Sequence, residues 1–120
     1  MRRVLVVEDT EDNRQIVRDL LSSAGYEIIE AVTGEQGVAM AAEHRPDLIL
    51  MDMQLPVLDG YEATRRIKAD PALCDIPVIA VTSYALSGDE AKTREAGCNA
   101  YIAKPFSPRQ LLGKVRELLP

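Results

Sequence analysis

Apolar residues fall in short unbroken runs along this chain, and each run is closed by a polar residue. Val4-Leu5-Val6-Val7 leads into Glu8-Asp9, and Leu48-Ile49-Leu50-Met51 into Asp52. Val78-Ile79-Ala80-Val81 ends at Thr82, and Tyr101-Ile102-Ala103 at Lys104. With a further run at 27–31, the pattern predicts five strands near residues 3–8, 27–31, 48–52, 78–82 and 100–103. Most are apolar at consecutive positions. That is the habit of parallel strands buried on both faces.

Helical patterns separate the runs. Thr33-Gly34-Glu35-Gln36, Asp59-Gly60-Tyr61-Glu62, Ser87-Gly88-Asp89-Glu90 and Ser107-Pro108-Arg109-Gln110 each place a capping residue three positions before Glu or Gln. In such a box the cap accepts from a free N–H and the Glu or Gln reaches back. Pro108 suits the first helical position. The first helix begins near Thr10 to Asp12 with a less clear cap. Its expected buried stripe is Ile16, Val17, Leu20, Leu21 and Ala24, and that of the last helix is Leu111, Leu112, Val115, Leu118 and Leu119. Gly25 and Gly97 read as helix stops. Residues 70–77 read as a surface connection.

The expected fold is therefore α/β: a (βα)5 doubly wound, parallel five-stranded sheet over residues 1–120, with strand order 2-1-3-4-5. Right-handed crossovers put helices on both faces. Ligands of such sheets bind at the carboxyl ends of the strands, at the switch point between the first and third strands. Glu8, Asp9 and Asp52 end those two strands, and Thr82 and Lys104 end the fourth and fifth.

Composition narrows the function classes. The net charge of −5 argues against direct nucleic-acid binding, which needs a basic surface. No apolar stretch approaches the length of a membrane span. The start, Met1-Arg2-Arg3-Val4, runs straight into a strand without a signal-peptide cleavage region, so a cytoplasmic location is expected. Cys74 and Cys98 make no Cys-x-x-Cys pair and no metal pattern with His44, and two free thiols are expected. His44 precedes Arg45-Pro46, where a cation complements the end of a helix.

Three carboxylates at one sheet edge repel one another. Either one is protonated or a cation sits among them. Lys104 supplies one charge, which is too little alone, and an all-oxygen ligand set suits Mg²⁺. Glu8 and Asp9 also fit a plain helix-start role, since acids are common there. Asp52, closing a buried run before Met53-Gln54-Leu55-Pro56, has no evident cap role. A carboxylate there can act as a nucleophile toward phosphorus and form an acyl phosphate. Mg²⁺ would neutralise the phosphoryl oxygens, while Lys104 and Thr82 would pair with them.

Val7-Glu8-Asp9, Asp52 with Leu55-Pro56-x-x-Asp59-Gly60, Thr82 and Lys104-Pro105-Phe106 follow one another in an order and spacing that resembles the receiver domains of two-component response regulators, the CheY-like family. The resemblance covers essentially the whole chain. It implies that Asp52 is the phosphoacceptor. It implies Mg²⁺ ligation by Asp9, Asp52 and the Gln54 backbone carbonyl, with Glu8 acting through water, and a cis bond before Pro105. Glu8 replaces the commoner Asp of the acid pair but keeps the charge. The resemblance further implies that Tyr101 swings inward when Thr82 moves, although a core tyrosine would look the same. The face of the fourth helix, fifth strand and fifth helix would then report phosphorylation to a downstream protein. Gln54 and Tyr84 stand two residues beyond Asp52 and Thr82, where family side chains flank the attacking water. They are expected to tune phosphoryl lifetime, Tyr84 by shielding. Residues 83–90 resemble receivers of hybrid histidine kinases and stand-alone DivK-like regulators. With the chain ending after the last helix, a single-domain regulator is favoured, and a domain cut from a longer chain is the alternative. The implied phosphodonor is a sensor histidine kinase or a histidine phosphotransfer protein. Apolar positions on the last two helices fit either core or interface, so a monomer or weak dimer is expected.

Three other classes share parts of the pattern. Aspartyl phosphatases of the haloacid-dehalogenase type carry Asp-x-Asp, whereas Asp52-Met53-Gln54 lacks the second acid. Flavodoxin-like FMN proteins share the strand order, but Glu8 and Asp9 would repel a phosphate, and no Gly-x-Gly-x-x-Gly or P-loop is present. A pseudo-receiver should lack one of the acids, and this chain lacks none.

Overall fold

The computed structural model describes residues 2–83 and 89–119. Five strands alternate with five helices: β1 (Arg3–Val7), α1 (Glu11–Ser23), β2 (Glu27–Ala31), α2 (Gly34–His44), β3 (Leu48–Asp52), α3 (Gly60–Ala69), β4 (Val78–Thr82), α4 (Asp89–Ala96), β5 (Ala100–Ala103) and α5 (Pro108–Leu118). All strands pair in parallel, in the order β2-β1-β3-β4-β5. Among the described residues, no helix is long and apolar enough to cross a membrane.

The unbroken apolar runs serve two cores at once. Successive side chains of a strand point to opposite faces. Leu5, Val7, Ile49, Met51, Val78 and Ala80 therefore pack on one face with Ala41 of α2, Ala63 and Ile67 of α3 and Ala96 of α4. Val4, Val6, Leu48, Leu50, Ile79 and Val81 pack on the other with Val17 and Leu21 of α1 and Leu111 and Val115 of α5. Each fully buried Val, Leu or Ile contributes about 1.5–3 kcal/mol. This burial can offset the cost of holding acids together at the sheet edge.

Ile16 departs from the expected stripe of α1: it is 60 % exposed. Val17 and Leu21, one turn apart, already fill the contact with the sheet. Ile16 lies about 100° round the helix from Val17 and so falls outside that contact. Residues 70–77 are not purely a surface connection, because Leu73 is 2 % exposed within the core. Lys68 holds this segment, its Nζ donating to the carbonyls of Cys74 and Ile76 and to Asn99 Oδ1.

Thr33, Asp59 and Ser107 all cap their helices through the side chain. Among the described residues, the expected return arm forms only between Gln110 and Ser107. Gln36 reaches one residue further, to the N–H of Val32, and Glu62 pairs with Arg65 and Arg66 on its own helix. Ser87 lies outside the described residues. Gly25 and Gly97 have φ of 95° and 108°, as helix stops require. Cys74 and Cys98 are free thiols. Burial pushes the Cys98 thiol above its ordinary value, against weaker pulls from Thr64 and Lys68.

Gly60 opens α3 against the end of β3. A Cβ there would lie 2.2 Å from the Asp52 carbonyl oxygen and 2.7 Å from Met53 Cα. Backbone atoms cannot yield as a flexible side chain can. Gly60→Ala is therefore expected to destabilise the fold by about 1–3 kcal/mol, read from urea denaturation. An unchanged midpoint would contradict the close approach.

Candidate functional site

Register assembles the site. Val7 lies opposite Met51, which sets Glu8 level with Asp52. Asp52 pairs with Val81, and Thr82 with Ala103, so Thr82 and then Lys104 follow along the same edge. Backbone bonds carry the ladder past the strand ends: Glu8 N–H to Ala31 O at 3.0 Å, Met53 N–H to Val81 O at 2.9 Å, and Lys104 N–H to Thr82 O at 2.8 Å. Tight parallel pairing thus brings together side chains up to 96 positions apart in the sequence.

Asp52 is 4 % exposed and Glu8 6 %, whereas Asp9 faces solvent. One carboxylate oxygen from each lies within 4.8 Å of the others. Lys104 bridges the two buried acids, its Nζ 3.0 Å from Glu8 Oε1 and 3.3 Å from Asp52 Oδ2. Asp52 Oδ1 accepts from the Gln54 N–H at 3.0 Å. Glu8 is also bound by the Thr10 N–H and by Asn13 Nδ2, so its carboxylate is held by protein groups on both oxygens.

The electrostatics are those of crowded acids around one ammonium. The hydrogen bond to Glu8, then desolvation and the Glu8 charge, raise Asp9 above the ordinary aspartate value, with a backbone N–H and Lys104 pulling the other way. Burial alone would lower Lys104. Hydrogen bonding to Glu8 and the charges of Asp52 and Glu8 outweigh it and hold the ammonium above the ordinary lysine value. Three oxygen donors with an exposed member fit a hard divalent cation that retains several waters.

Thr82 is fully buried beside this cluster. Its Oγ1 accepts from Gln54 Nε2 at 3.1 Å, and Gln54 Oε1 accepts from the Ser83 N–H at 2.8 Å. Gln54 thus links the Asp52 carboxylate, through its backbone N–H, to the end of β4, through its side chain. Tyr101 is half-buried on β5, at a surface cavity shared with Arg94 of α4 and Lys114 of α5. The Lys104–Pro105 bond is cis, as the resemblance implied. Tyr84 lies outside the described residues.

Sequence reading missed Asn13, Arg14 and Ser83. Arg14 Nη1 donates to the Glu8 carbonyl at 2.9 Å while the rest of its guanidinium meets Glu11 and Glu30. Glu30 lies on β2, and no local spacing signals that pairing. A cavity of about 480 Å³ opens from the acids and runs between α1 and the segment after β5. Its walls include Ile16, Val17, Pro105, Phe106 and Leu111, with Glu8, Asp52, Ser83 and Lys104 at the polar end.

A five-stranded parallel sheet with three acids, a hydroxyl and a lysine at its carboxyl edge defines a class of signalling module. The chain belongs to the response regulator receiver domain family, whose model matches residues 4–116. It is 47% identical over 118 residues to the polar-differentiation response regulator DivK of Brucella anthropi, spanning 98% of this chain and 96% of that protein. It is 41% identical to the receiver domain of a sensor histidine kinase from Pseudomonas aeruginosa, at a TM-score of 0.92 over 98% of this chain and 97% of that one. That structure is described with a magnesium ion coordinated in the active site cleft. A Vibrio cholerae chemotaxis protein, CheY4, superposes at a TM-score of 0.93 with 29% identity over 98% of both chains. Receivers are signalling domains of two-component systems that phosphorylation switches. They bind Mg²⁺ at the acidic site and work with histidine kinases and downstream targets.

Proposed function

We propose that Asp52 is the phosphoacceptor of this receiver and that it takes its phosphoryl group from a phosphohistidine. The observation that carries this is the Asp52 carboxylate itself. It is buried at the end of β3, with one oxygen on the Gln54 N–H and the other on Lys104. Both contacts orient the nucleophile without blocking it covalently or with bulk. An Asp52 oxygen attacks phosphorus, the bond from phosphorus to the histidine nitrogen breaks, and that nitrogen keeps the electron pair. An acyl phosphate results, which water later cleaves. The chain catalyses only its own phosphorylation and dephosphorylation, consistent with the single acid in Asp52-Met53-Gln54.

Asp9, Asp52 and the Gln54 carbonyl would hold Mg²⁺, with Glu8 acting through water while it holds Lys104. When bound, the cation neutralises the phosphoryl oxygens. Lys104 is freed from Asp52 to meet the phosphoryl oxygens, which carry a charge of about −1.5 to −2 where the carboxylate carried a single negative charge. Thr82 follows, and Tyr101 on the adjacent β5 reports the change to the face of α4, β5 and α5. A protein target reads that face. Two free thiols and the phosphodonor fit a cytoplasmic site of action.

Incubation with acetyl phosphate and Mg²⁺, followed by intact mass, tests the reading. One phosphoryl adduct is expected, lost when EDTA replaces Mg²⁺. Absence of any adduct would sink it.

The cavity between α1 and the Pro105-Phe106 segment gives the donor a place to dock. Its exposed Ile16 and apolar wall lead to Asp52, so a partner helix carrying the phosphohistidine can cover the wall while delivering to the acid. Ile16→Asp is expected to slow phosphotransfer from a cognate histidine kinase about tenfold. Its rate with acetyl phosphate should stay that of the wild type. Equal slowing with both donors would contradict the docking role.

A further inference from the structure

Gln54 does more than follow the phosphoacceptor. Its backbone N–H donates to Asp52 Oδ1, while its carboxamide binds Thr82 Oγ1 and the Ser83 N–H. The backbone N–H of Ser83 can only donate, so it fixes Oε1 toward Ser83 and leaves Nε2 for Thr82. Ser83 lines the same cavity as Asp52, Glu8 and Lys104. Ser83 therefore lies in the same cavity as the nucleophile, with Thr82 next to it in the chain, and one side-chain amide engages both.

A phosphoryl group on Asp52 brings acceptor oxygens that want such donors. The Ser83 N–H cannot fully serve Oε1 and a phosphoryl oxygen together. The Thr82 hydroxyl cannot move toward phosphorus while it keeps Nε2 at 3.1 Å. We propose that Gln54 is a positioning residue that acts as an internal placeholder for the phosphoryl group. In the resting state its carboxamide holds Thr82 and Ser83, and phosphorylation of Asp52 displaces it. Resting and switched states are then separated by an exchange of partners at one side chain. This rests on Asp52 as phosphoacceptor and Thr82 as the responding hydroxyl.

Beryllium fluoride with Mg²⁺ is a probe that occupies a carboxylate as a phosphoryl group would. Its affinity should be measured for the wild type, Gln54→Ala and Gln54→Met. Met keeps most of the bulk of Gln but makes neither hydrogen bond. Both variants are expected to bind the probe about three- to tenfold tighter, because about one net hydrogen bond is no longer lost to the competition. Tightening in Ala alone would assign the effect to bulk, and unchanged affinity in both would remove the competition. Either result overturns the placeholder. In the wild type, the Gln54 carboxamide protons should exchange slowly with solvent before the probe is added and fast at saturation. Protection that persists at saturation also overturns it. Failure of the wild type to bind the probe at all would instead strike at Asp52 as phosphoacceptor, so the two ideas fail separately.

Discussion

Asp52→Asn is expected to abolish the phosphoryl adduct formed with acetyl phosphate and Mg²⁺. The rate should fall on the order of 10³-fold or more, as removal of a nucleophile does elsewhere. Asn keeps the shape of Asp and an oxygen able to accept from the Gln54 N–H, so the end of β3 should hold its place. It also removes one of three clustered carboxylates, which repel each other. Folding stability should therefore be equal to or greater than that of the wild type in urea denaturation. Intact mass and denaturation together separate chemistry from folding. An adduct that persists in Asp52→Asn would move the nucleophile to another acid of the cluster. Loss of the adduct together with loss of the fold would mean that Asp52 carries more of the structure than its two contacts show.

Lys104→Met is the second large effect expected, and it falls on stability and metal response together. Lys104 bridges Glu8 and Asp52, whose side chains are only 8% and 4% exposed. Removing one partner of a buried ion pair leaves its counter-charges uncompensated. Lys104 itself is 24% exposed, so solvent screens part of the loss. A destabilisation of about 2–3 kcal/mol is expected in metal-free buffer. A divalent cation among the same acids replaces the missing charge, and a ligand that binds only the folded state stabilises it. Mg²⁺ should therefore raise the urea midpoint of Lys104→Met by more than that of the wild type, and EDTA should erase the difference. Equal Mg²⁺ increments in the two proteins would show that lysine and metal do not share these carboxylates.

Much of this site was legible because strand ends are legible. Unbroken apolar runs mark strands buried on both faces, and the polar residue that stops each run stands at the carboxyl edge. That logic placed Glu8, Asp52, Thr82 and Lys104 on one edge without any contact being known. Caps at Thr33, Asp59 and Ser107 were equally readable, because a cap hydrogen bond spans three residues. The return arms were less so. Glu62 had two arginines of its own helix within reach, and local competition decided against the box.

Ile16 shows where periodicity misleads. An apolar residue beside Val17 reads as core, yet α1 has only one narrow line of contact with the sheet. Leu73 shows the reverse, an apolar residue in a turn-rich segment that the core draws in. The Gln54 contacts had no signal at all, since Thr82 and Ser83 are 28 and 29 positions away.

The sequence by itself determined the strand and helix order, the two-sided core and the chemical inventory of the edge. Those follow from local hydrophobic periodicity and from hydrogen bonds between near neighbours. Only the tertiary structure decided which groups touch: Lys104 on Glu8 and Asp52, Arg14 on the Glu8 carbonyl, and Gln54 across to Thr82 and Ser83. Parallel register and crossover packing set those distances, and both depend on residues far apart in the chain.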